Sequence, residues 1–235
     1  MEDIWKRIET WMSVHAPQIH ERLLPGATEL EIAQLEEHLS VTLPEDFKSL
    51  YRLCNGQSEF HYGLFGELDE FLSLHRICKQ WSSLKKYLEN KMLWELEDNK
   101  DELEIGDEED CEEELEIGDG EVCDVEFDEE VREEEQTIRN VLWSRKWIPF
   151  TDSGSGEYYC IDMDPGRRGN AGQIIYMFQD GNDTNVRASS LKEWLEDYAE
   201  QLESGKLVFV NCYGVCDPTK YSWGYRFKKY LNNTK

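Results

Sequence analysis

Two aspartates two residues apart, Asp162 and Asp164 in the run Cys160-Ile-Asp-Met-Asp-Pro165, are spaced for chemistry. On a β-strand the side chains at i and i+2 project to one side, so the pair suits a divalent cation, which takes oxygen ligands. With Asp152 as a third carboxylate, that is the basis of a metal-dependent enzyme reading. The competing reading is local. Asp164 starts a turn with Pro165-Gly166 while Asp162 accepts hydrogen bonds from nearby backbone, and so short a motif favours it. Gly154-Ser155-Gly156 is shorter than a nucleophile elbow and no strand-to-helix context follows it, so it reads as a turn. None of His15, His20, His38, His61 and His75 stands in a zinc-type spacing with cysteine, and Cys212 with Cys216 is half a metal site without a second half. No EF-hand series occurs among the acidic residues. The residue types point away from a catalytic centre, and neither a metal nor another cofactor is expected.

Charge is the stronger signal. The 235 residues carry a net charge of −26, and it is not evenly spread. Glu95–Glu135 holds 24 of the 51 Asp and Glu but only Lys100 and Arg132 among the 25 bases, so the rest of the chain is close to balance. Such a segment repels nucleic acid and anionic membrane and attracts basic partners. It also contains a duplication. Glu102–Glu113, ELEIGDEEDCEE, matches Glu114–Val125, ELEIGDGEVCDV, at 8 of 12 positions, including Cys111 and Cys123. Two units are too few for a solenoid, so local duplication in a tolerant, mobile insertion is the simpler account. Seven cysteines at irregular spacings suit a reducing compartment. The acidic N-terminus is no signal peptide and no run of 18 apolar residues exists, so a cytoplasmic protein is expected.

The elements that must position these residues have clear punctuation. Ile4, Trp5, Ile8, Trp11 and Met12 share one face of a helix over residues 2–14 that ends at Ala16-Pro17. Thr28 and Glu31 form a capping box for a helix through Leu39. Thr42 or Leu43 caps the next, with Pro44 in its first turn, Phe47, Leu50, Tyr51 and Cys54 inward, and Asn55-Gly56 as a left-handed stop. Tyr62–Phe65 and Phe71–Leu74 read as short strands. Ser73 caps a helix with Leu74, Ile77, Trp81, Leu84 and Leu88 along one side. Trp147–Phe150, Tyr158–Met163 and Gln173–Phe178 carry the β-branched and aromatic residues of an antiparallel meander. Asn182–Ser189 reads as a polar return, Ser190 and Glu193 as a second capping box, and Leu191, Trp194, Leu195, Tyr198 and Leu202 as a buried stripe closed by Ser204-Gly205. Leu207–Val210 reads as a last strand, and Pro218–Asn232 is an aromatic and basic tail. The fold class that follows is α+β: an antiparallel sheet backed by amphipathic helices.

Two stretches together resemble a known superfamily. The first is Leu24-Pro-Gly-Ala-Thr28, Ile32, Leu35, Glu36, Leu43-Pro-Glu-Asp-Phe47, Leu50, Tyr51 and Asn55-Gly-Gln57. The second is Trp147-Ile-Pro-Phe150, Asp152, Gly154, Gly156, Asp162, Asp164-Pro165, Gly172-Gln173 and Ser190-Leu-Lys-Glu-Trp194. The ordered series resembles the SUKH superfamily, in the branch of the fungal cell-wall-assembly regulators and bacterial toxin-immunity proteins. The resemblance implies a single SUKH-like domain: residues 1–94 as its helical part and first strands, 140–211 as its meander and C-terminal helix, with an acidic insertion at 95–139 and a tail at 212–235. It implies a protein-binding module with no catalytic centre.

The leading expectation is a bacterial immunity protein that occludes a cognate toxin, a basic nuclease fitting the charge. The alternative is a regulatory scaffold for cell-wall synthesis, and a metal-dependent enzyme is third. Glu108, Glu109, Asp110, Glu112, Glu113 and Glu114 would compete with phosphate for a basic surface and raise the association rate. Tyr62, Phe65, Tyr158 and Tyr159 are candidate anchors and Asp162 a candidate contact, although tyrosine and phenylalanine in a sheet are commonly core.

Overall fold

The computed structural model describes residues 1–58, 62–66, 69–103, 136–141, 143–178, 184–211 and 214–219, with the backbone course alone for 88–89 and 91–103. The acidic repeat from Glu104 onward, with Glu108 to Glu114, and the tail from Lys220 onward lie outside these residues.

Helix α1 (Glu2–His15) buries Ile4, Trp5, Ile8 and Met12 on the face their spacing predicts, while Trp11 is half-buried and stacks on His15. Ala16 leaves helical geometry and α2 (Pro17–His20) restarts with proline in its first turn. Strand β1 (Leu23–Pro25) follows, then α3 (Glu29–Leu39), whose capping box is complete: the Glu31 amide donates to Thr28 Oγ1 at 3.3 Å and the Thr28 amide to Glu31 Oε2 at 2.7 Å.

Helix α4 (Glu45–Leu53) departs from expectation at both ends. Pro44 itself occupies the N-cap, without a side-chain bond, in place of Thr42 or Leu43. At the other end Cys54 is already extended (φ −149°), so the chain runs straight into β2 (Cys54–Gln57), which pairs antiparallel with β1. Gly56 does have φ 76°, but inside β2, where a Cβ would lie 2.5 Å from the Leu72 carbonyl carbon. Its glycine serves a close backbone approach, not a helix stop.

Strand β3 (Glu70–Phe71) is two residues long, shorter than the predicted Phe71–Leu74, because Leu74 already begins α5 (Leu74–Leu103). Ile77, Trp81 and Leu84 of α5 are buried, and its backbone runs on past residue 94 to Leu103.

Among the described residues the main sheet has four antiparallel strands. After β4 (Trp147–Pro149) a break at Phe150 leads to β5 (Thr151–Asp152), which pairs with β3. Next come β6 (Glu157–Asp162), β7 (Gln173–Phe178) and β8 (Asn185–Ala188), in the spatial order β4-β6-β7-β8. Strand β8 corrects the reading of Asn182–Ser189 as a simple return. It is an edge strand with Val186 and Arg187 exposed, so it needs no apolar alternation to be held by β7.

Period-2 alternation divides the sheet into two faces. Tyr158, Cys160 and Asp162 stand opposite Met177, Ile175 and Gln173 on one face, where Gln80 of α5 reaches the Tyr158 hydroxyl at 2.9 Å. Tyr159 and Ile161 stand opposite Tyr176 and Ile174 on the other. There α6 (Leu191–Glu203) lays Trp194 against Tyr159 and Phe150, ring centroids 4.9 and 5.3 Å away. The α6 stripe is buried as expected. Its N-terminal box is shifted by one: Glu193 N donates to Ser190 Oγ, but the Glu193 carboxylate accepts from the amide and hydroxyl of Ser189. A final hairpin, β9 (Val208–Val210) and β10 (Gly214–Cys216), is bridged at Gly214 to Gly63. The α+β expectation is met: an antiparallel sheet lies between α5 and α6, with α1, α3 and α4 completing the core.

Candidate functional site

The pair that opened the chemical question, Asp162 and Asp164, is occupied with structural tasks. Asp162 has no solvent exposure; its Oδ1 accepts from the Asp164 amide and its Oδ2 from Gln173 Nε2, both at 2.8 Å. Burial pushes its carboxyl above the usual aspartate range, against the opposing pull of those two hydrogen bonds. Asp164 is held the other way. Its Oδ2 accepts from Arg139 at 2.6 Å and from the Ser144 hydroxyl at 2.9 Å; desolvation opposes them, yet these partners keep its carboxyl below the usual range.

Gln173 also donates to the Thr137 carbonyl at 2.8 Å, and the amides of Gly166 and Arg168 bond to the carbonyls of Thr137 and Gln136. The turn after β6 therefore clasps residues 136–139, where the chain returns from the acidic run. Gly169 permits the fit: a Cβ there would meet the Thr137 carbonyl oxygen at 2.1 Å. Asp152 is engaged in its own turn, its Oδ1 accepting from Gly154 N at 2.8 Å. Among the described residues no group of three or more His, Cys, Asp and Glu is arranged to hold a metal ion.

A different site forms on the opposite face of the sheet. A cleft of about 690 Å³ opens beside α6, walled by β6, β7, β8, the segment around Phe65 and β10. Aromatic rings make its floor. Tyr159 lies 4.8 Å from Tyr176, its cross-strand partner, and Phe65 lies 4.9 Å from Trp194 and 5.2 Å from Tyr198. Trp194 and Tyr198, one helical turn apart on α6, stack at 6.0 Å with 12° between planes. The Tyr198 hydroxyl donates to the Leu64 carbonyl, which fixes the ring.

Carboxylates of Asp69, Glu157, Asp197 and Asp217 line the cleft against two bases, Arg187 and Lys206. Burial, assisted by the negative charge of Asp69, pushes the Tyr159 phenol up to about 12, and burial raises Tyr176 as well. Both stay neutral at physiological pH. The Arg187 guanidinium sits 5.0 Å from the Tyr176 ring centroid, so this aromatic surface already accepts a cation. Partly desolvated π faces beside carboxylates favour a cation carried on an apolar stem, the chemistry of arginine and lysine in a peptide.

The sequence-derived contact residues divide between these regions. Phe65 lines the cleft but is itself buried core. Tyr158 and Asp162 are buried on the α5 face, so they present no surface to a partner in this conformation; alternation sends their side chains away from the cleft. Tyr62 is half-buried, its hydroxyl donating to Asn211 at 2.7 Å, beside Phe209 rather than in the cleft. Tyr159 is the anchor candidate that the cleft does use. Tyr176, Arg187, Asp197 and the outer edge of Trp194 also line the cleft, although no local sequence motif marks them. The detectable signal was the β6–β7 register, which places Tyr159 opposite Tyr176.

Comparison with known proteins adds a lineage to this geometry. Residues 26–197 match the profile of the SMI1 / KNR4 family (SUKH-1). The chain is 22% identical over 215 residues to the cell wall assembly regulator SMI1 of Saccharomyces cerevisiae, covering 88% of this chain and 41% of that protein. It is 22% identical over 205 residues to the glucan synthesis regulatory protein of Neurospora crassa, covering 86% and 38%. A KNR4/SMI1 homolog 2 from Debaryomyces hansenii is 30% identical over 222 residues, covering 87% and 36%. The chain thus spans about two fifths of the length of these curated relatives.

Proposed function

The chain belongs to the SMI1/KNR4 (SUKH-1) family, and from that premise we propose that it is a non-enzymatic, cytoplasmic protein-binding regulator acting in the control of cell-wall synthesis. The observation that carries the reading is the cleft beside α6: an aromatic floor with carboxylates around it. It fits a basic segment of a partner protein, one arginine or lysine seated against Tyr159, Tyr176 and Trp194. The acidic run contributes at longer range by steering basic partners toward the molecule. The relatives, named for cell-wall assembly and glucan synthesis, favour this regulatory scaffold over toxin neutralisation, the reading that the superfamily resemblance and the charge together put first. Among the described residues no helix is long and apolar enough to cross a membrane.

The test replaces the gene in its source cell with an Asp197→Lys, Tyr176→Ala variant, both changes being at accessible positions. The variant protein should accumulate normally, bind its basic partner about 10-fold or more weakly, and reproduce the cell-wall glucan defect of a deletion. A deletion with normal wall glucan, in a cell that loses protection against a toxin, would instead return the protein to the immunity class.

A further inference from the structure

A second cleft, of about 580 Å³, lies along α5 where it crosses α3, and its chemistry is the reverse of the first. Lys85, Lys86 and Arg145 line it with His38, Trp81 and Ser82, and no described carboxylate does. Lys48, Arg52 and Arg76 each hold a carboxylate at close range, whereas Lys85 and Lys86 form no ion pair among the described residues. The cleft is built around one ring. Trp81 is 7% exposed and donates its indole N–H to the Arg145 carbonyl at 2.9 Å. Lys85 Nζ sits 5.4 Å from the ring centroid, and His38 packs edge-on at 5.5 Å. The Ser82 hydroxyl donates to the Cys78 carbonyl at 2.8 Å, so it accepts from His38 Nε2 at 3.2 Å, which holds the imidazole in place. The carbonyls at the C-terminal end of α3 would oppose an anion here, but those of Glu36 and Glu37 are taken up by the amides of Ser40 and Val41. Cations gathered in this way, one of them seated on a ring before any ligand arrives, make a preorganised anion receptor.

We propose that this cleft binds a phosphorylated side chain of a partner protein. Three observations select that anion. The first is charge: a phosphomonoester brings about −1.5 to −2 charges and three strong acceptor oxygens, which suits three cations lining one cleft better than a single carboxylate does. The second is the ring. With Lys85 on its face, His38 at its edge and so little of it exposed, Trp81 offers no open face on which a nucleobase could stack, and this argues against nucleotides and single-stranded nucleic acid. The third is the net charge of −26, which repels extended polyanions and anionic membrane, whereas a lone dianion on a peptide meets a local field set by the cleft. The inference holds whichever ligand occupies the cleft beside α6, since that cleft lies across the sheet from α5. Phosphorylation of the partner would then switch its affinity for this protein.

The test uses the full chain and three peptide libraries with degenerate, uncharged flanks, carrying phosphoserine, glutamate or serine at the centre. The phosphoserine library should be retained about 10-fold or more above the glutamate library. Lys85→Gln with Lys86→Gln should abolish that excess with an unchanged circular dichroism spectrum. Lys79→Gln, exposed on the same helix but outside the cleft, should leave it intact. Equal retention of phosphoserine and glutamate, retention of neither, or an excess that survives in the double variant overturns the proposal. Vesicles of phosphatidylcholine doped with a phosphoinositide form the second arm. They should bind no better than undoped vesicles; capture of doped vesicles without the phosphoserine library would assign the cleft to a membrane and overturn the proposal as well.

Discussion

The two faces of the central sheet handle polar groups in opposite ways. On the α5 face Asp162, Gln173 and the turn around Asp164 direct their hydrogen bonds inward, to one another and to Thr137, Arg139 and Ser144. On the α6 face Glu157, Asp197 and Arg187 surround tyrosine rings that still have free edges in an open cleft. Two neighbouring residues of one strand, Tyr158 and Tyr159, go to these different fates because alternation sends them to opposite sides. The lesson concerns where function is to be sought. A carboxylate pair that looks like a metal site by spacing is, once its partners are seen, a fastening, while the proposed binding surface is assembled from residues that no local motif links.

Mutations should sort by face. The largest effect is expected from Asp162→Ala, which removes the acceptor of the Asp164 N–H and one of the two acceptors of the Gln173 amide, and opens a void. A loss of about 2–4 kcal/mol in urea unfolding is expected, and a change below about 0.5 kcal/mol would mean that the clasp is dispensable. Gln173→Leu comes next, costing about 1–3 kcal/mol at neutral pH by stripping a donor from a buried carboxylate. Its pH dependence has a definite sign. Because burial raises the Asp162 carboxyl in the folded state, that group's contribution to stability falls as pH climbs from the ordinary carboxylate range through the raised value. The variant removes a donor to the ionised form, so its penalty should be greatest above that value and shrink below it. Unfolding midpoints of both proteins along an acid titration would check this. The smallest effect on stability is expected on the other face. Arg187→Ala removes one cation–π contact, worth about 0.5–1 kcal/mol at an exposed site. It bares Tyr176 and removes a like charge, so basic peptides should bind more tightly. Weaker binding of such peptides would make Arg187 part of the recognition surface rather than a resident competitor.

Legibility follows the same division. The Thr28–Glu31 box, the α6 stripe and the meander could be read because each is encoded within a few neighbouring residues at a fixed period. Strand β8 could not: Asn185–Ala188 has an exposed centre, and its strand state comes from pairing with β7. The ends of α4 were misplaced because Gly56, a valid left-handed signal, answers to the close passage of Leu72, which is distant in sequence. The cleft was illegible for the strongest reason. Its walls run from Phe65 to Asp217 and meet only through strand order and the packing of α6.

The clasp on residues 136–139 also bears on how this gene can change. Departure is fixed at the end of α5 and re-entry by Gln173 and Asp164, so both ends of the connection are anchored in the folded domain. Closure entropy grows with the logarithm of length, so lengthening a connection from about 20 to about 32 residues adds only about 0.4 kcal/mol to the cost of bringing its ends together. Copying the ELEIGD unit therefore adds little to the cost of closure. Selection can set the dose of negative charge copy by copy, as a trait inherited separately from the architecture that carries it.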